Sequence, residues 1–203
     1  KWRAVIRISD GLPSKNCIRL NAHALARYAA LCQQAKMVPI VEPEVLMDGS
    51  HDIDRCFDVT SEVLKEVFAE LNNQKVALNG IVLKPNMVIS GMDAANRADI
   101  PTVASATVKC LSENVPDEVP GIAFLSGGQT SEEATGHLNA MNEMGPHPWQ
   151  LTFSYGRALQ AEPLNAWSGE DENIPAAQES FIKRSRLNSL ARTGNYHPQM
   201  EEA

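Results

Sequence analysis

Several features are missing from this chain, and each absence removes a class of function. No C-x-x-C pair occurs among the four cysteines, Cys17, Cys32, Cys56 and Cys110, so neither a zinc ribbon nor a dithiol redox centre is indicated and reduced thiols are expected. The five histidines, His23, His51, His137, His147 and His197, form no H-E-x-x-H or similar ligand pattern and read as surface or helix residues, which predicts no metal. No apolar run approaches the roughly 20 residues that a membrane span requires. The first residues lead straight into a β-type run with no cleavage region, which predicts a chain without a signal peptide that begins inside a folded element and acts in the cytoplasm. Basic residues are in deficit as well. The net charge of −7 and the scattered Lys and Arg argue against nucleic acid as a partner.

What remains is an ordinary globular composition over 203 residues, 43% apolar and 21% charged, enough for one sizeable core. Short β-branched runs alternate with longer helical stretches, the signature of βαβ units and a parallel sheet. Five such units are expected. Strands are predicted at Trp2 to Ile8, Val38 to Glu42, Gly80 to Lys84, Gly121 to Ser126 and Gln150 to Ser154. The helix after the first strand carries Leu20, Ala24, Tyr28 and Leu31 at spacings of three and four, so these four share one face. Further helices are predicted near 52 to 72, 102 to 111, 131 to 144, 158 to 167 and 175 to 191. Trp149 and Trp167 read as packing residues.

Polar residues recur at the strand ends. Lys1 and Arg3 lie on the first strand, Glu42 ends the second, Lys84 the third and Ser126 the fourth, and Arg157 follows the fifth, each about one βα unit after the last. Groups placed in this way meet around one mouth in a (β/α)₈ TIM barrel, whose active site is drawn from successive strand ends. An open doubly wound sheet is disfavoured, because no G-x-G-x-x-G follows any strand. The expected fold is therefore α/β, a (β/α)₈ barrel. Residues 1–203 would form a single domain that supplies about five βα units, the last five strands, plus C-terminal helices, and lacks the N-terminal strands.

Lys84 caps the apolar strand Ile81-Val82-Leu83, and a lysine there has to be paired or partly neutral, which makes it a candidate Schiff-base nucleophile. Glu42 caps Val38-Pro39-Ile40-Val41 with Glu44 two residues on. It reads as a proton shuttle for imine formation or as a structural partner of Lys1 or Lys84, and the two roles are compatible. Ser126-Gly127-Gly128 and Tyr155-Gly156-Arg157 each bring exposed backbone N–H groups to a strand end, and Arg157 adds a guanidinium. That is phosphate-binding chemistry, with a plain turn as the alternative for the first.

Together, Lys1-Trp2-Arg3, Val41-Glu42-Pro43-Glu44, Leu83-Lys84-Pro85-Asn86-Met87, Leu125-Ser126-Gly127-Gly128-Gln129 and Thr152-Phe153-Ser154-Tyr155-Gly156-Arg157-Ala158 closely resemble class I fructose-1,6-bisphosphate aldolase. The resemblance implies reversible cleavage of fructose 1,6-bisphosphate to dihydroxyacetone phosphate and glyceraldehyde 3-phosphate, in glycolysis and gluconeogenesis, with no metal or other cofactor. It implies Lys84 as the imine former, Glu42 as acid/base with Glu44 beside it, and Lys1 at the hydroxyls near the breaking bond. Arg3 would lie toward the second phosphate, with Ser126, Gly127, Gly156 and Arg157 at the ketone-side phosphate. A homotetramer is usual in the family. Two segments of the pattern are not found in this chain: the first barrel strands, with an aspartate and a further lysine, and the mobile tail ending in tyrosine. Another Schiff-base barrel, such as a transaldolase or deoxyribose-phosphate aldolase, and a non-catalytic interaction protein stand as alternatives.

Overall fold

The computed structural model describes residues 1–202. Five parallel strands form one sheet in chain order: β1 (Trp2–Ile6), β2 (Ile40–Val45), β3 (Val82–Leu83), β4 (Gly121–Phe124) and β5 (Gln150–Phe153). Helices α1 (Lys15–Gln34), α2 (Ile53–Asn73), α3 (Ile100–Asn114) and α4 (Ser131–Glu143) are the crossovers, and α5 (Arg157–Trp167) and α6 (Ile174–Ala191) follow the last strand. Each helix packs on its predecessor in turn, and α6 folds back on α4 and α5. The α/β class and the five units are as expected from the sequence. Among the described residues the sheet is open, with β1 and β5 each paired on one side only.

Side chains are divided between the two faces by the alternation along each strand. Ala4, Ile6, Val41, Val45 and Leu83 point to the helix side and are buried in one apolar core with Leu25, Val63, Leu64, Leu71 and Leu111. Lys1, Arg3, Glu42, Glu44 and Lys84 have the opposite parity along their strands and share the other face. The starts of α1 to α4 are fixed by side-chain caps: Ser14, Asp52 and Asp99 each accept from an N–H in the first turn, and Thr130 and Glu133 form a reciprocal capping box on α4.

Two expectations need correction, and the face that α1 buries is not the one its larger apolar residues share. In α1 the buried face is Ile18, Ala22, Leu25, Ala26 and Ala29, whereas Leu20 and Leu31 are 60% and 58% exposed. Small residues face the sheet because they let the helix lie close to it. Trp167 is 41% exposed, whereas Trp149 is buried and donates its indole N–H to the Pro116 carbonyl at 3.0 Å. Strand bounds differ too: β1 ends at Ile6, β3 is only two residues long, β4 ends at Phe124 and β5 at Phe153, while β2 runs on through Pro43 to Val45. Pro43 fits because β3 pairs only with Ile40 and Val41, so no ladder bond is demanded of it on that side. No described helix is long and apolar enough to cross a membrane.

Candidate active site

β1 and β2 lie in register with Arg3 opposite Glu42 and Val5 opposite Glu44, which brings the cations of β1 beside the carboxylates of β2. Lys84 follows β3 directly, and its N–H donates to the Val41 carbonyl at 2.7 Å, so its side chain starts level with that of Glu42. Lys84 Nζ lies 3.0 Å from Glu42 Oε1, Lys1 Nζ lies 3.6 Å from Glu42 Oε2, and Arg3 Nη1 donates to Glu44 Oε2 at 3.0 Å. Three cations and two carboxylates thus alternate across three strands. Lys84 and Glu42 are buried at their side chains, 8% and 3% exposed, whereas Lys1 and Arg3 stand half-exposed at the rim. Glu42 Oε2 is buried and accepts no hydrogen bond among the described residues, which leaves one oxygen free to take or give a proton. Burial pushes the Glu44 carboxyl up, with Arg3 opposing and Glu42 reinforcing the rise.

Asn86 holds this arrangement. Its Oδ1 accepts from the Val45 N–H at 3.0 Å, where β3 has already ended, and its Nδ2 donates to Thr60 Oγ1 at 3.1 Å, tying the end of β2 to α2. Sequence reading quoted Asn86 without giving it a role; the signal available was an amide two residues past a strand end, where a ladder runs out of partners. The loops after β2 and β3 are also joined, because Gly91, Met92 and Asp93 N–H groups donate to the carbonyls of His51, Met47 and Gly49 at 2.8, 2.8 and 2.9 Å.

On the neighbouring strand ends, Ser126 is buried, and Gly127 and Gly128 adopt left-handed backbone with φ of 49° and 78°. That conformation turns successive N–H groups outward, the concave arrangement that cradles anions. Gly156 lies one strand over, with open space where a Cβ would be, and Arg157 is the exposed first residue of α5. The structure therefore joins Lys1, Glu42 and Lys84 by contact, pairs Arg3 with Glu44 on the same face, and sets Ser126, Gly127, Gly156 and Arg157 at the ends of the adjacent pair β4 and β5. Among the described residues no group of three or more His, Cys, Asp and Glu side chains is gathered in a way that would hold a metal ion.

A match to the family model "Fructose-bisphosphate aldolase class-I" covers residues 1–203. The chain belongs to the class I fructose-bisphosphate aldolase family. It is 56% identical over 197 residues to fructose-bisphosphate aldolase B of Gallus gallus, covering 97% of this chain and 54% of that protein. It is 51% identical to a probable class 1 fructose-bisphosphate aldolase of Xanthomonas axonopodis, covering 59% of it. A solved structure of fructose-bisphosphate aldolase from Plasmodium falciparum, in complex with TRAP and a small-molecule inhibitor, superposes with a TM-score of 0.94 at 48% identity, over 97% of this chain and 57% of that one. The chain thus spans somewhat over half the length of the aldolases it matches.

Of the histidines, expected on the surface or on helices, one is a helix residue that is also buried. His137 is almost fully buried on α4, with Nδ1 2.6 Å from Gln129 Oε1 just beyond the glycine loop, and burial pushes its imidazole down to about 4. Its neighbours on α4 show the pattern that could have revealed it, since Ala134, Leu138 and Met141 lie on the same buried side.

Proposed function

We propose that this chain is the catalytic C-terminal part of a fructose-1,6-bisphosphate aldolase, acting through an imine on Lys84. The observation that carries this reading is the buried Lys84–Glu42 pair at 3.0 Å, with the second lysine on the free side of the same carboxylate. Proton transfer from Nζ to Glu42 Oε1 frees the amine lone pair, which adds to the substrate ketone to give a carbinolamine. Glu42 then returns the proton to the departing hydroxyl, and water leaves as the imine forms. Deprotonation of the hydroxyl beyond the scissile bond, by a carboxylate on this face, sends the bonding electrons into the protonated imine. The aldehyde product departs and an enamine remains. Its protonation at carbon and hydrolysis of the resulting imine release dihydroxyacetone phosphate and restore Lys84.

In this reading Lys1 holds the hydroxyls next to the breaking bond and Arg3 reaches toward the aldehyde-side phosphate. The N–H groups of the Ser126-Gly127 and Gly156 turns, with Arg157, hold the ketone-side phosphate. The open β1 and β5 edges are closed by the strands that complete a (β/α)₈ barrel, and full-length chains assemble as a cytosolic homotetramer, as the family resemblance implies.

The test is borohydride reduction in the presence of dihydroxyacetone phosphate, followed by peptide mapping. The modification is expected on Lys84, and trapping on Lys1 would overturn the assignment. The Lys84→Met variant keeps most of the side-chain volume and should bind substrate with no turnover.

A further inference from the structure

The largest of the fully buried side chains is a charged one, Arg184 on α6. It lies outside the catalytic group and was not singled out by the sequence, although Arg184, Leu187 and Ala191 at spacings of three and four form the buried side of α6. Its guanidinium makes four directed hydrogen bonds. Nη1 donates to Thr135 Oγ1 at 3.2 Å and to Glu201 Oε1 at 2.8 Å, and Nη2 donates to Glu162 Oε1 at 2.9 Å and to Glu201 Oε2 at 2.8 Å. Thr135 Oγ1 passes its own proton to Asn188 Oδ1 or the Ser131 carbonyl, both at 2.7 Å. Glu201 also accepts from the Tyr196 hydroxyl at 2.9 Å.

The helices so gripped are those that start at the two halves of the phosphate cradle. Thr135 stands one turn into α4, about 6 Å along the axis from its first residue Ser131, which follows the Ser126–Gly128 turn. Glu162 stands about 7.5 Å into α5 from Arg157, which follows Gly156. A further tie runs beneath them, where the Tyr155 hydroxyl donates to the Ala134 carbonyl at 2.8 Å. A buried ion pair is weak evidence for stability, since an apolar replacement of similar volume is often neutral or better. What a planar guanidinium with fixed donors does supply is geometry.

We infer that Arg184, with Glu162 and Thr135 as its two arms, is a positioning residue that sets the separation of the α4 and α5 N-termini and so the fit of the ketone-side phosphate between them. This rests on the reading of Ser126, Gly127, Gly156 and Arg157 as a phosphate site.

The experiment compares borohydride trapping of dihydroxyacetone phosphate with that of dihydroxyacetone, each at sub-saturating concentration, in the full-length enzyme. The ratio of the two rates isolates what the phosphate contributes. Arg157→Ala is the control for the site and should collapse the ratio. Glu162→Ala removes one arm at a half-exposed carboxylate, so the fold survives. It is expected to slow trapping of the phosphorylated ketone roughly tenfold, as small misplacements of a binding group do, and to leave dihydroxyacetone unchanged. Arg184→Lys should act in the same direction and more strongly. If both ketones slow by one factor, or neither slows, while Arg157→Ala lowers the ratio, Arg184 is a structural anchor only and the inference falls. If Arg157→Ala leaves the ratio intact, the phosphate reading itself is wrong and the positioning role goes with it.

Discussion

Among single residues, Glu42 carries the sharpest prediction. Glu42→Gln keeps the shape of the side chain and one hydrogen-bond acceptor toward Lys84, but removes the proton exchange. Turnover should drop by about 10²–10⁴ while substrate still binds, and imine trapping should continue slowly. Trapping at the wild-type rate would make Glu42 a structural partner and pass its role to Glu44. His137 gives a prediction about stability. Burial lowers its folded value to about 4 from 6.5, with Glu133 opposing and Arg97 reinforcing the shift, so the folded state resists a proton that the unfolded chain accepts. Stability should therefore be full above about pH 6.5 and decline as pH falls toward 4, by at most about 3 kcal/mol. Urea midpoints across that range should show the slope in the native chain, and His137→Asn should make it shallower, with His51, which burial also pushes down, supplying part of what remains. The strand-end charges were legible in the sequence because an apolar strand makes a terminal Lys or Glu conspicuous. Arg184 was not, because a guanidinium among Lys183, Arg186 and Glu179 reads as a solvated helix surface until its partners from α4, α5 and the last turn are in place.

At the level of elements, the lesson of α1 is that helical period alone does not choose a face. Ile18, Ala22, Leu25 and Ala29 recur at spacings of three and four, as do Leu20, Ala24, Tyr28 and Leu31, so two stripes compete on one helix. The alanine-rich stripe faces the sheet, and the bulkier one, with the Trp2 ring tilted against Tyr28 at 6.0 Å between centroids, stays outside. β3 was overestimated for a related reason: Ile81 to Lys84 has the composition of a strand, yet the ladder there lasts two residues and the Asn86 side chain takes over. The joined loops after β2 and β3 yield a test. A Cβ on Gly91 would sit 2.2 Å from the Gly49 carbonyl oxygen, a backbone atom with nowhere to go. Gly91→Ala should force the loops apart and cost about 1–3 kcal/mol, read as a lowered denaturation midpoint together with new proteolytic cleavage near His51.

For the whole molecule, apolar surface lies uncovered in two places, besides the unpaired edges of β1 and β5. Beside β1 lie Trp2, Leu31 and Met37. Between α5 and α6 lies a concavity of about 640 Å³ that includes Leu164, Trp167, Phe181 and Ile182. Expressed by itself, the 203-residue chain should bind a hydrophobic dye and self-associate, and co-expression with the N-terminal strands of an aldolase should suppress both and restore cleavage. A monodisperse, active 203-residue monomer would refute the proposal of a barrel completed by further strands. Activity of the full-length enzyme should also survive exhaustive chelation, because the imine is the electron sink; a loss restored by zinc would contradict the mechanism. Finally, the sheet order follows chain order without exception. Each strand from β2 onward finds its neighbour already made in synthesis, so docking can proceed vectorially as the polypeptide leaves the ribosome. Run in reverse, the same order means that a molecule held at its first residue and pulled from its last should peel apart one βα unit at a time, α6 and α5 first and β1 last.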